Sequence, residues 1–248
     1  MLTHPTVDQL VALGLGGMAR AFAELQANPS AASLSHPEWL ALLLDREATE
    51  RSNRRLVARL RHARLRQRAT VEDIDWRAPR GLDRSLVQRL IAGDWIAAPQ
   101  NLIIEGPTGI GKSWLACALG HQACRDNQSV LYQRVPKLFP DLALARADGR
   151  YPRMMKRLGK VRLLILEDWG LEPFAAEHRR DLLEIVEERC GRGATLITSQ
   201  VPVDKWHAII GEPTVADAIL DRIVHNAHRL KLKGDSLRRK LAPHATAA

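Results

Sequence analysis

The chain opens with two segments whose apolar residues recur at helical spacing. Between residues 6 and 27 the apolar positions follow a 3.6-residue period, which predicts one continuous helix. The polar segment NPSAASLS, residues 28–35, then breaks the pattern. A second helix is predicted after Ser35, which suits the N-cap position, with Pro37 in the first turn. We expect this helix to continue to residue 69.

From residue 101 onwards, short continuous apolar runs alternate with amphipathic stretches. Strands are predicted at 101–105, 129–134, 161–168 and 194–200, with helices between them at 112–126, 136–158 and 177–190. Continuous apolar strands separated by helices predict a parallel sheet that is covered by helices on both faces. The predicted fold class is therefore α/β.

The stretch EDIDWRAPRGLD, residues 72–83, contains proline and glycine and separates the two patterns. We interpret it as the connection between a small all-α N-terminal domain, residues 1–72, and an α/β domain, residues 73–248. A short helix is predicted at 84–93, before the first strand.

The charge balance adds a candidate partner. The chain has 37 Lys and Arg against 28 Asp and Glu, a net charge of +9, although its 46% hydrophobic and 26% charged content is ordinary for a globular protein. Such an excess of positive charge indicates a polyanionic partner, nucleic acid before a membrane. General arginine usage in a high-GC genome is the alternative explanation.

Much of this charge lies on the second predicted helix. Nine arginines occur between residues 46 and 68, whereas the acids of this region, Asp45, Glu47 and Glu50, all lie near its start. An unpaired basic helix is favoured when phosphates neutralise it. We therefore predict contacts with double-stranded DNA, and a solvated helix is the alternative. The predicted DNA-contacting residues are Arg54, Arg55, Arg59, Arg61, Arg64, Arg66 and Arg68.

Three cysteines are too few for a disulfide framework, and the start of the chain does not resemble a signal peptide. No apolar run approaches the length of a membrane span, so a cytoplasmic protein with reduced thiols and no membrane contact is expected. Cys117, His121 and Cys124 have a spacing that suits either three metal ligands or the packing stripe of one helix. Packing is favoured, since no fourth ligand is evident.

The segment GPTGIGKS, residues 106–113, matches the phosphate-binding pattern G-x-x-x-x-G-K-S between a predicted strand and a predicted helix. Its glycines allow backbone N–H groups to surround a phosphate at a helix N-terminus. Lys112 would reach the β- and γ-phosphates of ATP, and Ser113 would offer a hydroxyl to Mg²⁺. The predicted nucleotide-binding residues are Gly106, Pro107, Thr108, Gly109, Ile110, Gly111, Lys112, Ser113 and Trp114.

Two adjacent acids, Glu167 and Asp168, follow the apolar run LLIL. Ligands of open α/β sheets bind at the carboxyl ends of the strands, where these two acids are predicted to lie. A helix cap or solvated loop remains the alternative for one of them. The pair is thus the candidate metal- and water-binding half of an ATP site.

Together these motifs resemble the IstB-like helper ATPases of bacterial transposons, relatives of the DnaC-type helicase loaders in the AAA+ superfamily. The resemblance covers nearly the whole chain. The stretches that carry it are LLLDREATERSNRRLVARLRHARLR, EDIDWRAPRGLDR, NLIIEGPTGIGKSWLACALGHQACR, LLILEDWGL, TLITSQVPVDKWH and PTVADAILDRIVHNAHRLKLKGDSLRRK. It implies an AAA+ core with ATP and Mg²⁺ as ligands.

The resemblance also implies roles for residues outside the phosphate loop. Ser199 and Gln200, with Thr198, match sensor 1, which positions the attacking water or detects the γ-phosphate. Arg222 matches the arginine finger that completes the site of a neighbouring subunit. An ion pair with Asp217 or Asp221 is its alternative. Arg238 or Arg239 matches the sensor 2 arginine.

The acid pair departs from the family pattern, which usually has Asp-Asp or Asp-Glu. Here Glu167 stands at the magnesium position and Asp168 at the water position. We expect ATP binding to be intact, whereas the rate of hydrolysis stays open, with slow turnover as the expectation.

The function implied is that of an ATP-dependent transposition helper. ATP would assemble a homo-oligomer with ATP sites between subunits on double-stranded DNA, the oligomer would recruit or stimulate the cognate transposase, and hydrolysis would reset it. The alternatives are a DnaC-like replicative helicase loader, a P-loop small-molecule kinase and a DNA-binding scaffold without turnover.

Overall fold

The computed structural model describes residues 4–237, which divide into two compact units with the boundary at residues 58 and 59. The sequence pattern had suggested a boundary after residue 72. In the structure residues 59–72 group instead with the second unit. Within the described part of the chain, no helix has both the length and the apolar character needed to cross a membrane.

The first unit is helical, as predicted, but its first helix is divided. The helices are α1 (Pro5–Ala12), α2 (Gly16–Ala27), a 3-10 helix (Pro29–Ser33) and α3 (His36–Ala63), in which the unit boundary falls. The prediction of one helix over 6–27 was wrong because Gly14 adopts a left-handed φ of 73°. The N–H of Gly14 donates to Val11 O and that of Leu15 to Leu10 O, a pairing that terminates helices.

The bounds of α3 confirm the predicted start and correct the predicted end. The helix begins directly after Ser35, whose N–H and hydroxyl both donate to the Glu38 carboxylate at 2.7 Å. It ends at Ala63, and Arg64 has a positive φ of 53°. Arg64, Arg66 and Arg68 therefore lie beyond the helix to which the sequence pattern assigned them.

Glu47 joins two helices of the first unit. Its side chain is buried and accepts hydrogen bonds from the N–H groups of Gly17 (2.8 Å) and Met18 (3.2 Å) in the first turn of α2, and from Arg51 Nε (2.6 Å). The carboxylate thus satisfies N–H groups that an α-helix leaves without a partner at its start. It also lies where the helix dipole favours a negative charge.

The second unit alternates strands and helices. The strands are β1 (Asn101–Glu105), β2 (Val130–Arg134), β3 (Leu163–Trp169), β4 (Ala194–Ser199) and β5 (Ala227–Lys231). The helices are α4 (Arg84–Ala92), α5 (Asp94–Ala97), α6 (Lys112–Arg125), α7 (Val135–Ala147), α8 (Tyr151–Lys160), α9 (Ala176–Arg189), α10 (Trp206–Ile210) and α11 (Pro213–Val224). Short 3-10 helices occur at Val71–Asp73 and Val203–Lys205.

The five strands form one sheet in the order β2-β3-β4-β1-β5, and every neighbouring pair is parallel. The predicted α/β fold is confirmed. Strand β4 lies between β1 and β3, so the strand before the phosphate loop and the strand before the acid pair are not direct neighbours. Strand β5 was not predicted from the sequence, since this edge strand is only partly buried and lacks a continuous apolar run.

Helix α6 buries the cysteines that had suggested metal ligation. Cys117 and Cys124 are fully buried, and burial raises the pKa of both thiols, that of Cys124 to about 11. Among residues 4–237 no group of three or more His, Cys, Asp or Glu side chains is arranged to hold a metal ion. The two cysteines are part of the packing of α6.

Arg189 at the end of α9 connects three segments of the second unit. Its side chain is only 2% exposed and donates hydrogen bonds to the carbonyls of Leu158 (2.7 Å), Val161 (2.9 Å) and Ala194 and to the Thr195 hydroxyl (3.0 Å). These carbonyls belong to the end of α8 and to the residues that precede or begin β3 and β4. Burial lowers the pKa of this guanidinium to about 10, so it remains charged at neutral pH.

Replacing Arg189 with methionine leaves these buried carbonyls without donors. We expect the free energy of unfolding to fall by about 3 kcal/mol, measured by urea denaturation with tryptophan fluorescence. The control is Arg192→Met, whose side chain is 69% exposed and pairs with Glu188. That change should cost less than about 0.5 kcal/mol, and equal losses in both variants would contradict the role given to Arg189.

The first unit should lose stability in acid through Glu47. Hydrogen bonds from Arg51 and from the N–H groups of Met18 and Gly17 lower the pKa of this carboxyl below its ordinary value of 4.5. A lowered pKa contributes stability above the unfolded-state value, and this contribution is lost as pH falls through the folded-state value. Hydrogen exchange of α2 amides should therefore accelerate, relative to intrinsic rates, below about pH 4.5.

Glu47→Gln should flatten this pH dependence. The matched control is Glu24→Gln, whose side chain is 61% exposed and pairs with Arg46. If both variants kept the pH dependence of the wild type, Glu47 would not be the group responsible.

Candidate ATP-binding site

The phosphate loop joins β1 to α6 and has the backbone that its glycines allow. Gly106, Gly109 and Gly111 have φ values of 153°, 77° and 96°, in the region that glycine adopts without strain. At Gly106 close packing adds a second requirement, because a Cβ atom there would lie 2.5 Å from Leu232 O. Gly111 then precedes the first residue of α6 and exposes the helix N-terminus to a ligand.

The Lys112 side chain is held against this loop. It is 8% exposed, and its Nζ donates to Gly106 O at 2.6 Å and to Pro107 O at 2.8 Å. The charge is thus localised at the loop itself, where a phosphate would lie.

A cavity of about 580 Å³ opens beside the loop, within the size range of small-molecule sites. Of the predicted nucleotide-binding residues, its wall includes Thr108, Gly109, Gly111, Lys112, Ser113 and Trp114. Glu167, Asp168 and Gln200 line the same cavity. Gly106, Pro107 and Ile110 do not: the first two accept hydrogen bonds from Lys112, and Ile110 is buried.

A β-bulge brings both acids to the cavity. Leu166 pairs with Ile197, but Trp169 pairs with Ser199, so Glu167 and Asp168 lie opposite the single residue Thr198. In a regular strand two successive side chains point to opposite faces, and a bulge changes this direction. Asp168 has a left-handed φ of 61°, and its N–H donates to the Thr198 hydroxyl at 3.3 Å.

Glu167 is buried without a hydrogen-bond partner. It is 1% exposed, and within residues 4–237 neither of its carboxylate oxygens accepts a hydrogen bond. Arg66 Nη1 and Arg134 Nε lie 3.6 and 3.8 Å from Oε2. Burial raises the pKa of Glu167, and the nearby Asp168 charge adds to this, whereas the Ser113 hydroxyl and Arg66 act in the opposite direction. A buried carboxylate with unsatisfied oxygens beside a serine hydroxyl fits a Mg²⁺ ion.

Asp168 is bound by Arg134, which the sequence pattern did not single out. Arg134 donates to Asp168 Oδ2 from Nε (3.0 Å) and from Nη2 (2.7 Å). Arg134 is the last residue of β2, and the carboxyl ends of β2 and β3 lie side by side in the sheet. For Asp168 to act on a water molecule, its carboxylate must be released by Arg134 or shared with it.

The predicted sensor 1 residues have different environments. Ser199 is fully buried, and its hydroxyl lies 2.9 Å from the carbonyls of both Trp169 and Val201. It therefore fastens the end of β4 to the end of β3. Gln200 is exposed and lines the cavity, whereas Ser199 does not.

Arg222 lies outside the cavity of its own chain. It donates to Ala218 O at 2.7 Å and pairs with Glu187 of α9 at 3.2 Å. The partner is thus neither Asp217 nor Asp221. Arg238 and Arg239, the candidate sensor 2 residues, lie outside the described residues.

Several residues of the proposed DNA-contacting set have partners within the protein. Arg54 pairs with Glu47 and Glu50, Arg59 donates to Cys124 O, and Arg66 lines the cavity. Exposed side chains that make no hydrogen bond or ion pair to any residue in 4–237 are Arg55, Arg61, Arg64 and Arg68.

The remaining wall of the cavity could not be inferred from the sequence pattern. It includes Gln67, Asp73, Asp75, Arg80 and Leu237. Asp73 ends the short 3-10 helix, Gln67, Asp75 and Arg80 come from irregular segments before β1, and Leu237 follows β5 by six residues. Neither periodicity nor strand position therefore singles them out. Arg134 could have been found, since it ends the strand beside the acid pair.

The sheet order, the glycine loop at the start of α6 and the acids at the end of β3 define a P-loop ATP-binding protein with an AAA+ core. The profile of the IstB-like ATP binding protein family matches residues 8–245. The chain belongs to this family, as the sequence resemblance predicted.

Similar proteins agree with this assignment. The chain is 64% identical over 239 residues to "Putative insertion sequence ATP-binding protein y4pL" of Sinorhizobium fredii (strain NBRC 101917 / NGR234). The alignment covers 96% of this chain and 98% of that protein. It is 48% identical over 203 residues to "Insertion sequence IS1162 putative ATP-binding protein" of Pseudomonas fluorescens, with 82% of this chain and 88% of the relative covered.

Solved structures support the fold. DnaI has a TM-score of 0.57 at 24% identity and matches 66% of this chain and 91% of its own. The DnaC helicase loader has a TM-score of 0.52 at 18% identity, over 60% and 87% of the two chains. AMPPCP-bound DnaA from Aquifex aeolicus has a TM-score of 0.56 at 15% identity, over 71% and 54%.

The geometry of the two acids predicts different consequences of removing their charge. Glu167→Gln should abolish the increase in ATP affinity that Mg²⁺ produces, because it removes the buried carboxylate beside Ser113. Asp168→Asn should keep that increase but lower ATP turnover by about 100-fold or more, as expected on loss of a general base. Titration of a fluorescent ATP analogue with and without Mg²⁺, together with steady-state phosphate release, measures both effects.

The matched control is Glu172→Gln, an exposed acid that follows β3 and does not line the cavity. It should leave both quantities unchanged. Full turnover in Asp168→Asn would show that this carboxylate does not activate water.

Proposed function

We propose that the protein is an ATP-hydrolysing helper of insertion-sequence transposition, which assembles on double-stranded DNA and recruits or stimulates its cognate transposase. The observation that carries this proposal is the cavity in which a P-loop, two carboxylates and Gln200 come together in a member of the IstB-like family. ATP hydrolysis resets the assembly, so the reaction acts as a timer for a DNA complex.

The side chains of the site have separate tasks in this proposal. Lys112 places positive charge against the β- and γ-phosphates, and Ser113 and Glu167 would hold Mg²⁺, which neutralises phosphate charge when bound. Asp168 accepts the proton of the attacking water, which Gln200 orients. Turnover is slow, because Asp168 has a shorter side chain than glutamate and is bound by Arg134.

Arg222 supports an oligomer whose ATP sites lie between subunits. It does not line the cavity of its own chain, and its side chain is 31% exposed beside Glu187. An arginine in this position can serve the site of a second subunit, where its charge would stabilise the transition state of phosphoryl transfer.

A basic surface of the second unit supports DNA binding. Helix α8 contains no acidic residue, and its exposed charges are Arg153, Lys156, Arg157 and Lys160, whereas Met155 and Leu158 are buried. Arg157 Nη2 lies 3.4 Å from His62 O, so this face continues to the exposed Arg61 and Arg64. We define Arg61, Arg64 and these four α8 side chains as the basic α8 surface. A surface of six exposed cationic side chains suits contact with DNA phosphates.

The likeness to DnaI and to the DnaC helicase loader is a likeness of fold. The relatives that match at 48% and 64% identity carry insertion-sequence names, which favours a transposase over a replicative helicase as the protein partner. The two functions are distinguished by measuring whether the protein, bound to ATP and DNA, stimulates a transposase or a replicative helicase.

The proposal is tested by measuring the size of the protein with and without ATP and duplex DNA. We expect large assemblies only when both ligands are present, together with ATP turnover that DNA stimulates. Assembly that depended on neither ligand would overturn the proposal that ATP and DNA control it. DNA binding without any ATP turnover would favour a DNA-binding scaffold.

A triple variant, Arg153→Gln, Lys156→Gln and Lys160→Gln, tests the basic α8 surface. It should lower the slope of log affinity against log salt concentration by about 3, since each lost phosphate contact removes about one released counterion. The matched control removes three exposed charges elsewhere, by Arg180→Gln, Arg192→Gln and Lys205→Gln. Equal effects of the two triple variants would place the DNA on another surface.

A further inference from the structure

Arg80 is a buried cation beside the phosphate loop to which the function described so far gives no role. Its backbone is fixed, because its N–H donates to Ala78 O (2.8 Å) and its carbonyl accepts from the N–H of Lys233 (3.0 Å). The residue is 3% exposed overall, yet its side chain lines the 580 Å³ cavity.

The guanidinium of Arg80 has too few partners for a buried charge. Its Nη2 lies 3.4 Å from Asp75 O, and its Nε is buried without a hydrogen-bond partner. Within residues 4–237, no carboxylate lies within ion-pair distance of it. Burial lowers the pKa of this guanidinium, and the more distant Asp75 charge opposes the shift. A buried cation that lacks an anion destabilises a protein unless a ligand supplies the anion.

The position of Arg80 identifies the kind of anion. A Cβ atom on Gly111 would lie 2.7 Å from Arg80 Nη1, so the guanidinium lies against the backbone that leads into α6. Glycine at this position is therefore required for its φ of 96° and also for the approach of Arg80. The N-terminus of α6 attracts anions as well. Two positive groups thus converge on one point of the cavity wall.

We propose that the Arg80 guanidinium binds a phosphate group that ADP and ATP have in common. The inference rests on the proposed function to the extent that the cavity binds these nucleotides. A phosphate shared by ADP and ATP is favoured over the γ-phosphate alone, because the guanidinium lies against Gly111, in the loop whose backbone N–H groups surround the α- and β-phosphates of a nucleotide. Planar guanidinium groups are well suited to this task, since they bind phosphate oxygens through two parallel N–H groups.

A purely structural role makes the opposite prediction for stability. If Arg80 served to fasten the segment before α4 to the loop, its removal would destabilise the protein without nucleotide. If its partner is the nucleotide, then removal of an unpaired buried charge leaves the nucleotide-free protein as stable as before, or more stable.

The test is Arg80→Met in the full chain, with ADP and ATP affinities measured by calorimetry and unfolding temperatures measured with and without ADP. We expect the affinity for both nucleotides to fall by about 10- to 100-fold, the effect of one hydrogen-bonded charge. The unfolding temperature without nucleotide should not fall, and the rise that ADP causes should shrink. Arg77→Met, which removes an exposed charge from the same segment, is the matched control and should leave all four quantities unchanged.

Three results would overturn the inference. Wild-type affinity for ADP in Arg80→Met would show that Arg80 does not bind nucleotide, and a loss confined to ATP would move the contact to the γ-phosphate. A lower unfolding temperature with unchanged ADP affinity would make Arg80 a structural residue. If the wild-type chain bound neither nucleotide, the proposed function would fail together with this inference, which distinguishes that failure from the other three.

Arg80→Lys covers the case in which the methionine variant does not fold. Lysine keeps the charge but lacks the paired N–H groups, so the ADP affinity should fall by less than in Arg80→Met and by at least about threefold. Unchanged ADP affinity in this variant, with Arg80→Met unfolded, would count against the phosphate contact.

Discussion

The site depends on one irregularity in the hydrogen bonding between β3 and β4. A regular β3 would send the side chains of Glu167 and Asp168 to opposite faces of the sheet. The bulge opposite Thr198 turns both to one cavity, at the cost of a left-handed backbone at Asp168 that is on the order of 1 kcal/mol. The Thr198 hydroxyl holds the Asp168 N–H, and Ser199 fastens the neighbouring Trp169 carbonyl. The last two residues of β4 thus determine where two catalytic candidates lie.

Around this point, the residues predicted to bind the phosphates and the residue predicted to activate water come from different elements of the fold. The phosphate loop, Lys112 and Arg80 lie at the start of α6, whereas Glu167 and Asp168 lie near the end of β3 and Gln200 follows β4. Arg134 and Arg66 balance the negative charge of the acids from β2 and from the segment after α3. Because Asp168 lies on β3 and the phosphate loop follows β1, a substitution at Asp168 can alter turnover while nucleotide affinity is retained.

The sequence allowed the fold and the centre of the site to be predicted, but not its periphery. Continuous apolar runs located β1 to β4, and the spacing of GPTGIGKS located the loop, because both signals are local. Strand β5, the bulge at Asp168 and the approach of Arg80 to Gly111 depend on contacts between distant segments, which no local pattern records. For the same reason, the arginine-rich stretch did not indicate that Arg66 lies beyond the end of α3 and lines the cavity.

The segment after β5 gives the site a further property. Backbone hydrogen bonds join Leu232 to Glu105, Lys233 to Arg80 and Leu237 to Gly109, so residues 232–237 are attached to the end of β1, to Arg80 and to the phosphate loop. A ligand that orders the loop must, by thermodynamic reciprocity, also favour the docking of this segment, and the docked segment must favour the ligand by the same free energy. The stability of the docked segment after β5 therefore depends on which ligand the phosphate loop binds.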